Sequence, residues 1–255
     1  MVSSEGGARA ALLLLELGKA GSAGAPLLEI ADALGQTKPT LLRSIKSLID
    51  YGFVEQVARG RYRLGPSIFS LARAENAAVL DIANWTSVLD KLARTFGQTF
   101  SLVRHAGLDV VVLDKRVGGA PVQALMSEIG GRLPMGMGSG SVAILTTLDP
   151  DDRDAIIAAN ARRYAKWNLT AAQVTEIVRK ATVNGHVSDL GHMIPECGGI
   201  GVPIHERGRY TATMSIALSA PLQFFSQNRI PDVAKEMKKA IADNLKLYKE
   251  SGRPA

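Results

Sequence analysis

The apolar positions recur at helical spacing in the first part of the chain and then alternate over two short segments. Residues 8–19, 27–34 and a segment that starts after Thr37 carry the helical pattern. Residues 53–57 and 61–64 alternate as strands do, around an Arg-Gly turn. Three helices followed by a basic hairpin predict a winged helix-turn-helix, which lays one helix in the major groove of DNA.

The helix ends of this segment are marked by residues with suitable backbone chemistry. Pro26 suits the first turn of the second helix, and Gly35 ends that helix because it tolerates a left-handed cap. We expect Thr37 to cap the third helix, where Pro39 lacks only an amide that would be unpaired anyway. The third helix is expected to bury one apolar face, formed by Leu41, Leu42, Ile45, Leu48 and Ile49.

From residue 98 onward the pattern changes from helical to strand-like, after a helical stretch over 67–96 that is interrupted near 75–78. The predicted strands span residues 99–105, 109–117, 122–126, 200–205 and 211–219. The predicted helices span residues 141–148, 150–160, 170–184 and 231–249. Helices that flank strands paired in hairpins, here with a turn around Gly208, predict an α+β fold.

Composition agrees with an ordinary globular protein of 255 residues, with 46% apolar and 21% charged residues. Cys197 is the single cysteine. A disulfide framework is therefore excluded, and a reducing, cytoplasmic setting is expected. The apolar run at 10–15 is too short for a signal peptide, and no run reaches the roughly 18 residues that span a bilayer. We expect a soluble protein with no membrane contact.

Positive charge is concentrated in the predicted winged helix. Residues 36–63 hold six basic and two acidic side chains, which is most of the net charge of +6 of the whole chain. Basic and hydroxyl groups of this kind reach guanine edges and phosphate oxygens. The predicted DNA contacts are Gln36, Thr37, Lys38, Thr40, Leu41, Arg43, Ser44 and Lys46, with Arg59, Arg61 and Arg63 in the wing. The alternative is a solvated helix face or a protein-binding winged helix.

The chain resembles the IclR family of bacterial transcriptional regulators along nearly its whole length. The resemblance lies in residues 33–43 (ALGQTKPTLLR), 48–55, 60–66, 129–135, 195–204 and 213–221. It implies an effector-controlled repressor or activator of a metabolic operon, dimeric or tetrameric, that binds a pseudo-palindromic operator. Pro39 departs from the family, which usually has a small hydroxyl residue there, and this change removes one possible phosphate contact.

The resemblance also implies a domain organisation. Residues 1–66 would form the winged helix-turn-helix DNA-binding domain, and residues 67–77 a linker helix. Residues 78–255 would form a GAF-like effector-binding and oligomerisation domain. No cofactor is expected.

The glycine-rich segment 136–140 is the first candidate for an effector site. Its amides, at the start of a helix, can point at a carboxylate, which favours a small organic acid as the effector. The alternative is a turn that serves packing alone, and a dinucleotide site is excluded because no clear strand precedes the segment. With a second wall at 185–199, the predicted effector contacts are Met137, Gly138, Ser139, Gly140, Asp189, Cys197 and Ser215.

The segment 185–199 also permits two other functions. Zinc could be bound by His186, Asp189, His192 and Cys197, although their spacing matches no closed structural site. Cys197 could also act as a nucleophile with a nearby histidine as its base. Because no recognised catalytic motif is present, we expect a binding protein and not an enzyme.

Overall fold

The computed structural model describes residues 5–74, 76–121, 127–181, 185–192, 195–205 and 210–250. The chain divides into two compact units, Met1–Val79 and Leu80–Ala255, called the N-terminal and the C-terminal unit below. The strand predicted at 122–126 and the turn predicted around Gly208 lie outside the described residues.

The N-terminal unit combines α-helices with a small antiparallel sheet. Its elements are α1 (Glu5–Lys19), β1 (Ala25–Pro26), α2 (Leu27–Leu34), α3 (Lys38–Asp50), β2 (Val54–Ala58), β3 (Arg61–Leu64) and α4 (Pro66–Ala74). The strands are ordered β1-β3-β2, so the two residues before α2 extend the hairpin by a third strand. The predicted winged helix-turn-helix is confirmed.

Two details of α3 differ from the prediction. The Thr37 side chain caps no amide of the helix, and its hydroxyl donates instead to Thr40 Oγ1 at 2.9 Å. Leu42 and Ile49 are 41% and 37% exposed, so the buried stripe is narrower than expected. The core of the unit is formed by Leu13, Leu17, Ile30, Ala31, Leu41, Ile45, Val54 and Tyr62. Gly35 ends α2 at a φ of 59°, as predicted.

The C-terminal unit contains a six-stranded antiparallel sheet in the order β6-β5-β4-β9-β8-β7. Its strands are β4 (Thr99–Ala106), β5 (Asp109–Arg116), β6 (Arg132–Pro134), β7 (Val187–Leu190), β8 (Cys197–Ile204) and β9 (Met214–Pro221). Its helices are α6 (Ser139–Leu145), α7 (Pro150–Tyr164), α8 (Ala171–Ala181), α9 (Ile230–Glu250) and most of α5 (Asn76–Phe96), whose first four residues belong to the N-terminal unit. The predicted α+β class is confirmed.

Both faces of the sheet are covered by helices. Successive side chains along a strand point to opposite faces, so each strand contributes apolar residues to both. One face carries Phe100, Ile200 and Leu218, which pack in one core cluster with residues of α5 and α9. The other face carries Val103 and Val112, which pack with residues of α6, α7 and α8. The second face also carries the small residues of β8, and the candidate site described below lies there.

The short strands β6 and β7 were not predicted from the sequence. A strand therefore does precede the glycine-rich segment, contrary to expectation, although every described pairing is antiparallel and a βαβ unit is excluded among the described residues. α4 ends at Ala74 and α5 begins at Asn76, close to the expected interruption. Among the described helices, none combines the length and apolarity needed to cross a bilayer.

A buried carboxylate ties α5 to the sheet. Asp114 on β5 is 5% exposed. It accepts hydrogen bonds from Thr86 Oγ1 of α5 and from the Lys115 amide, each at 2.8 Å, and pairs with the Arg116 guanidinium. A buried charge is tolerated only when it is paired and hydrogen-bonded, so each donor contributes to holding this helix in place.

We predict that Thr86→Val destabilises the C-terminal unit by about 1–3 kcal/mol, because it leaves the Asp114 carboxylate one donor short. Both tryptophans, Trp85 and Trp167, lie in this unit, so tryptophan fluorescence during urea unfolding reports on it alone. The control is Thr95→Val on the exposed part of the same helix, where the hydroxyl donates only to the Lys91 carbonyl. Equal unfolding midpoints for the two variants would contradict the role of this contact.

Candidate functional site

A turn of unusual backbone geometry carries the chain from β6 into α6. Gly136 and Gly138 have φ values of 96° and 82°, in the region that favours glycine. A Cβ on Gly136 would also lie 2.6 Å from Val174 and 2.9 Å from the Tyr164 hydroxyl oxygen. The segment therefore needs glycine for its backbone conformation and for the close packing of α7 and α8 against it.

Buried hydroxyl groups hold this turn in place. Ser141 Oγ accepts from the Gly136 amide at 3.1 Å and lies 2.7 Å from the Met137 carbonyl oxygen, to which it donates. The Tyr164 hydroxyl donates to the Met135 carbonyl at 2.5 Å. Because Tyr164 is fully buried, desolvation raises its pKa to about 12, and the nearby Arg163 guanidinium offsets part of that rise.

The start of α6 lies directly on the backbone of β8. A Cβ on Gly201 would overlap the Ser139 carbonyl group, and one on Gly199 would lie 2.7 Å from Ser139 Oγ. From β9, Ser215 Oγ donates to the Gly140 carbonyl at 2.8 Å. Small residues on β8 and one hydroxyl on β9 thus fix the distance between the helix and the sheet.

A cavity of about 60 Å³ lies between α6 and this face of the sheet. Its described lining consists of Ser101, Val103, Val110, Val112, Ser127, Leu133, Met137, Gly138, Ser139, Gly140, Ser141, Asp189, Cys197, Gly198, Gly199, Ala217 and Ser219. An enclosed cavity that holds benzene measures about 150 Å³. This cavity therefore suits a compound of a few heavy atoms.

The structure brings six of the predicted effector-contact residues together in the cavity wall. They are Met137, Gly138, Ser139, Gly140, Asp189 and Cys197. Ser215 was wrongly included: it is fully buried, its hydroxyl is used on Gly140, and it lies outside the described lining. That the six bind a ligand stays a prediction.

Other lining residues were missed from the sequence. Ser101 and Ser219 face the cavity from β4 and β9, and Val110 and Val112 from β5. The alternation within each strand was a usable signal for them, since it places residues two apart on the same face. The sequence does not indicate which face of the sheet carries a cavity, because both faces are apolar and covered by helices.

Asp189 is the one acidic side chain in the described lining. It is 7% exposed, and its Oδ1 lies 3.1 Å from His192 Nδ1 and 3.2 Å from the His192 amide. Asp189 also borders a second cavity, of about 170 Å³, next to α8 and His186.

The proposed zinc site is not formed. Within the described part of the chain, no three histidine, cysteine or acidic side chains are placed to hold a metal ion, so the set of His186, Asp189, His192 and Cys197 is wrong as a metal centre. Asp189 and His192 pair with one another, whereas Cys197 lies on β8 in the wall of the first cavity.

The N-terminal unit presents a polar surface on α3. Lys38, Arg43 and Lys46 are exposed, as is Thr37 just before the helix, while Gln36, Thr40 and Ser44 are half-buried. Leu41 was wrongly included among the DNA contacts: it is fully buried in the core of the unit and cannot reach a ligand.

The three wing arginines differ in what they do. Arg59 is exposed at the hairpin turn. Arg61 Nη1 donates to the Gly24 carbonyl at 2.7 Å, and Arg63 pairs with Glu55 at 2.5 Å across the hairpin. Arg61 and Arg63 therefore help to hold the N-terminal unit together, and Arg59 is the wing arginine most available to a partner.

Two family models match the chain, one for each unit. The model described as the IclR helix-turn-helix domain matches residues 8–58. The model described as the bacterial transcriptional regulator IclR C-terminal domain matches residues 75–245.

Curated relatives cover most of the chain. The HTH-type transcriptional regulator KipR of Bacillus subtilis is 23% identical over 222 residues, which are 84% of this chain and 86% of the relative. The glycerol operon regulatory protein of Streptomyces griseus is 26% identical over 227 residues, which are 85% and 84% of the two chains.

Solved structures share the fold. An IclR transcriptional regulator from Alicyclobacillus acidocaldarius has a TM-score of 0.71 at 21% identity, covering 95% of this chain and 98% of the other. An IclR homologue from Microbacterium hydrocarbonoxydans, complexed with 4-hydroxybenzoate, has a TM-score of 0.68 at 17% identity, with coverages of 93% and 99%.

We predict that Tyr164→Phe lowers the free energy of unfolding of the C-terminal unit by about 1–3 kcal/mol, because the buried Met135 carbonyl loses its donor. The matched control is Tyr210→Phe, since Tyr210 is 95% exposed. Tryptophan fluorescence during urea unfolding measures both.

The same pair gives a pH dependence with a definite sign. The pKa of Tyr164 is raised in the folded state from 10.0 to about 12. The stabilisation by its hydroxyl is therefore fully present below pH 10 and is lost as the pH rises through 12. The stability difference between the wild type and Tyr164→Phe should shrink over that interval; a difference that grew with pH would contradict the assignment.

Proposed function

Because the chain belongs to the IclR family of bacterial transcriptional regulators, we propose that an effector bound in the C-terminal cavity changes the affinity of the N-terminal unit for operator DNA. The observation that carries the proposal is the cavity whose wall includes the glycine turn and the start of α6. An effector acts in this way only if it binds the two DNA-affinity states unequally. Repression and activation both satisfy that condition.

The effector is a small organic compound, and the regulator controls a metabolic operon. The complex of the Microbacterium homologue with 4-hydroxybenzoate supports an organic acid, the class predicted from the sequence. The name of the Streptomyces griseus relative supports the control of a metabolic operon. The small volume of the cavity favours a compound smaller than an aromatic acid.

The regulator acts in the cytoplasm as a homodimer or homotetramer. Winged helix-turn-helix units in pairs bind two half-sites, so a two-fold symmetric assembly matches a pseudo-palindromic operator. The α3 contacts would come from the side chains on its polar surface, Gln36, Thr37, Lys38, Thr40, Arg43, Ser44 and Lys46.

We predict different losses for Arg43→Ala and Arg59→Ala. Arg43 lies in the middle of the exposed face of α3, so its loss should cost about 1–3 kcal/mol at one base position and relax specificity there. The loss of Arg59 at the wing tip should weaken binding to all DNA sequences alike. It should also reduce the slope of log affinity against log salt concentration by about one. The measurement is fluorescence anisotropy on an operator selected from a random duplex pool.

The control for both variants is Lys239→Ala, which removes an exposed cation from α9 in the other unit. It should bind like the wild type. If both arginine variants bound the selected operator as the control does, the recognition helix and the wing would be wrongly assigned.

Effector control is tested by coupling ligand binding to DNA binding. A thermal-shift screen of small acids, alcohols and amines should yield a compound that stabilises the protein and changes operator affinity. Ser139→Ala should weaken the response to that compound, because Ser139 faces the cavity, whereas Ser87→Ala on the exposed side of α5 should not. A stabilising compound that leaves operator affinity unchanged would overturn the proposal.

A further inference from the structure

One exposed leucine lies within the basic surface of α3. Leu42 is 41% exposed, whereas its neighbour Leu41 is fully buried in the core of the N-terminal unit. Lys38, Leu42 and Lys46 follow one another at four-residue intervals, so their side chains form one row along the helix. The leucine that α3 presents to a partner is therefore Leu42, and not the predicted Leu41.

The charge around Leu42 indicates the class of that partner. Lys38, Arg43 and Lys46 are exposed around it, and residues 38–49 contain no acidic side chain. A single exposed leucine is ordinary on a protein surface. A leucine between cations, however, is covered only by a partner that also neutralises those cations, and DNA does so through its phosphates.

The position of Leu42 along the helix also favours contact with bases. In helix-turn-helix proteins, the N-terminal residues of the recognition helix contact the base edges. Leu42 lies about one turn into α3. Ile49, which is 37% exposed, lies two turns or about 10 Å further along, next to the end of the helix at Asp50. Leu42 is thus placed to reach the floor of the major groove, and Ile49 lies beyond it.

Leucine has no hydrogen-bonding group in its side chain, and this restricts the base that it can face. In the major groove, thymine presents a 5-methyl group, whereas the other bases present donors and acceptors. Against those polar edges, a leucine would displace water without supplying a hydrogen bond, which costs free energy. Against the thymine methyl group, it removes apolar surface from water on both sides of the contact.

Pro39 enlarges the apolar surface around Leu42. It is exposed, and residues three apart are neighbours on the surface of a helix. Proline has neither an amide nor a side-chain donor to offer to a phosphate or a base. The residue that departs from the family pattern therefore supports apolar contact at this place in the helix.

From these positions, and resting on the proposed contact of α3 with operator DNA, we infer that Leu42 recognises a thymine through its 5-methyl group. Leu42 thereby selects a T·A base pair in each half-site. This base pair lies close to the one that Arg43 contacts, because consecutive Cα atoms are about 3.8 Å apart, similar to the rise of about 3.4 Å per base pair.

Uracil substitution tests this inference, because uracil differs from thymine only by the missing methyl group. In the operator selected from a random duplex pool, each thymine is replaced in turn in both half-sites, and the affinity of the full chain is measured by fluorescence anisotropy. At one position the wild type should lose about tenfold, the effect of two buried methyl groups. Leu42→Ala should bind the thymine operator at least about tenfold more weakly and lose nothing further with uracil.

The matched control is Ile49→Ala, which removes an exposed apolar side chain from the same helix and should keep the wild-type difference between thymine and uracil. If Leu42→Ala does not fold, Leu42→Gln, which keeps a good helix former, replaces it and should lose most of that difference. The inference is overturned if no thymine is sensitive to uracil, or if the Leu42 variant keeps the wild-type difference. A Leu42 variant that changes only the oligomeric state would assign this side chain to a protein contact and would also overturn it.

The same samples separate this inference from the proposed function. A thymine effect that depends on Leu42, in a protein whose operator affinity no compound changes, supports the inference and contradicts effector control. An effector response on an operator that is insensitive to uracil supports effector control and contradicts the role of Leu42. If no sequence is selected from the pool, the assignment of α3 as the recognition helix is wrong, and the inference fails with it.

Discussion

The contact between the first turn of α6 and the backbone of β8 determines the geometry of the C-terminal site. Gly199 and Gly201 have no Cβ, and only for that reason can Ser139 and Gly140 approach the strand so closely. A methyl group at either position would push the helix away from the sheet or fill the cavity. The size of the cavity and the position of Ser139 Oγ both follow from these two residues.

Buried hydroxyl groups then fix the orientation of the glycine turn and of the start of α6, which the glycines of β8 allow to approach the sheet. The Ser215 hydroxyl donates to the Gly140 carbonyl, and the Tyr164 hydroxyl donates to the Met135 carbonyl. The Ser141 hydroxyl accepts from one backbone amide of the turn and donates to one of its carbonyls. Each satisfies a backbone group that burial would otherwise leave unpaired. Apolar packing alone would leave the glycine segment with many conformations, because glycine restricts its own backbone least.

Local patterns predicted the winged helix and the long strands, because amphipathic periodicity and glycine caps act over a few residues. They failed where burial depends on distant partners. Leu42 and Ile49 fit the apolar stripe of α3, yet in the structure they are 41% and 37% exposed. Ser215 and Ser139 are both serines that lie close to the glycine turn. The register of β9 places the Ser215 hydroxyl where it donates to the Gly140 carbonyl, and that register is not visible in the local sequence. The four-residue strand that carries Asp189 is too short to be read as alternation.

Burying a carboxylate in a cavity costs desolvation free energy, but the buried charge can make the cavity select among ligands. Discrimination is a difference between two affinities, and it can be gained by repelling the wrong ligand as well as by attracting the right one. A cavity this small buries few apolar atoms of any ligand, so packing separates compounds of similar size only weakly. Charge separates them more strongly, because one like charge at close range outweighs the gain from one or two methylene groups. If the cavity is the effector site, the polar groups in its wall, such as Ser139 and Asp189, contribute more to selectivity among small compounds than its shape does.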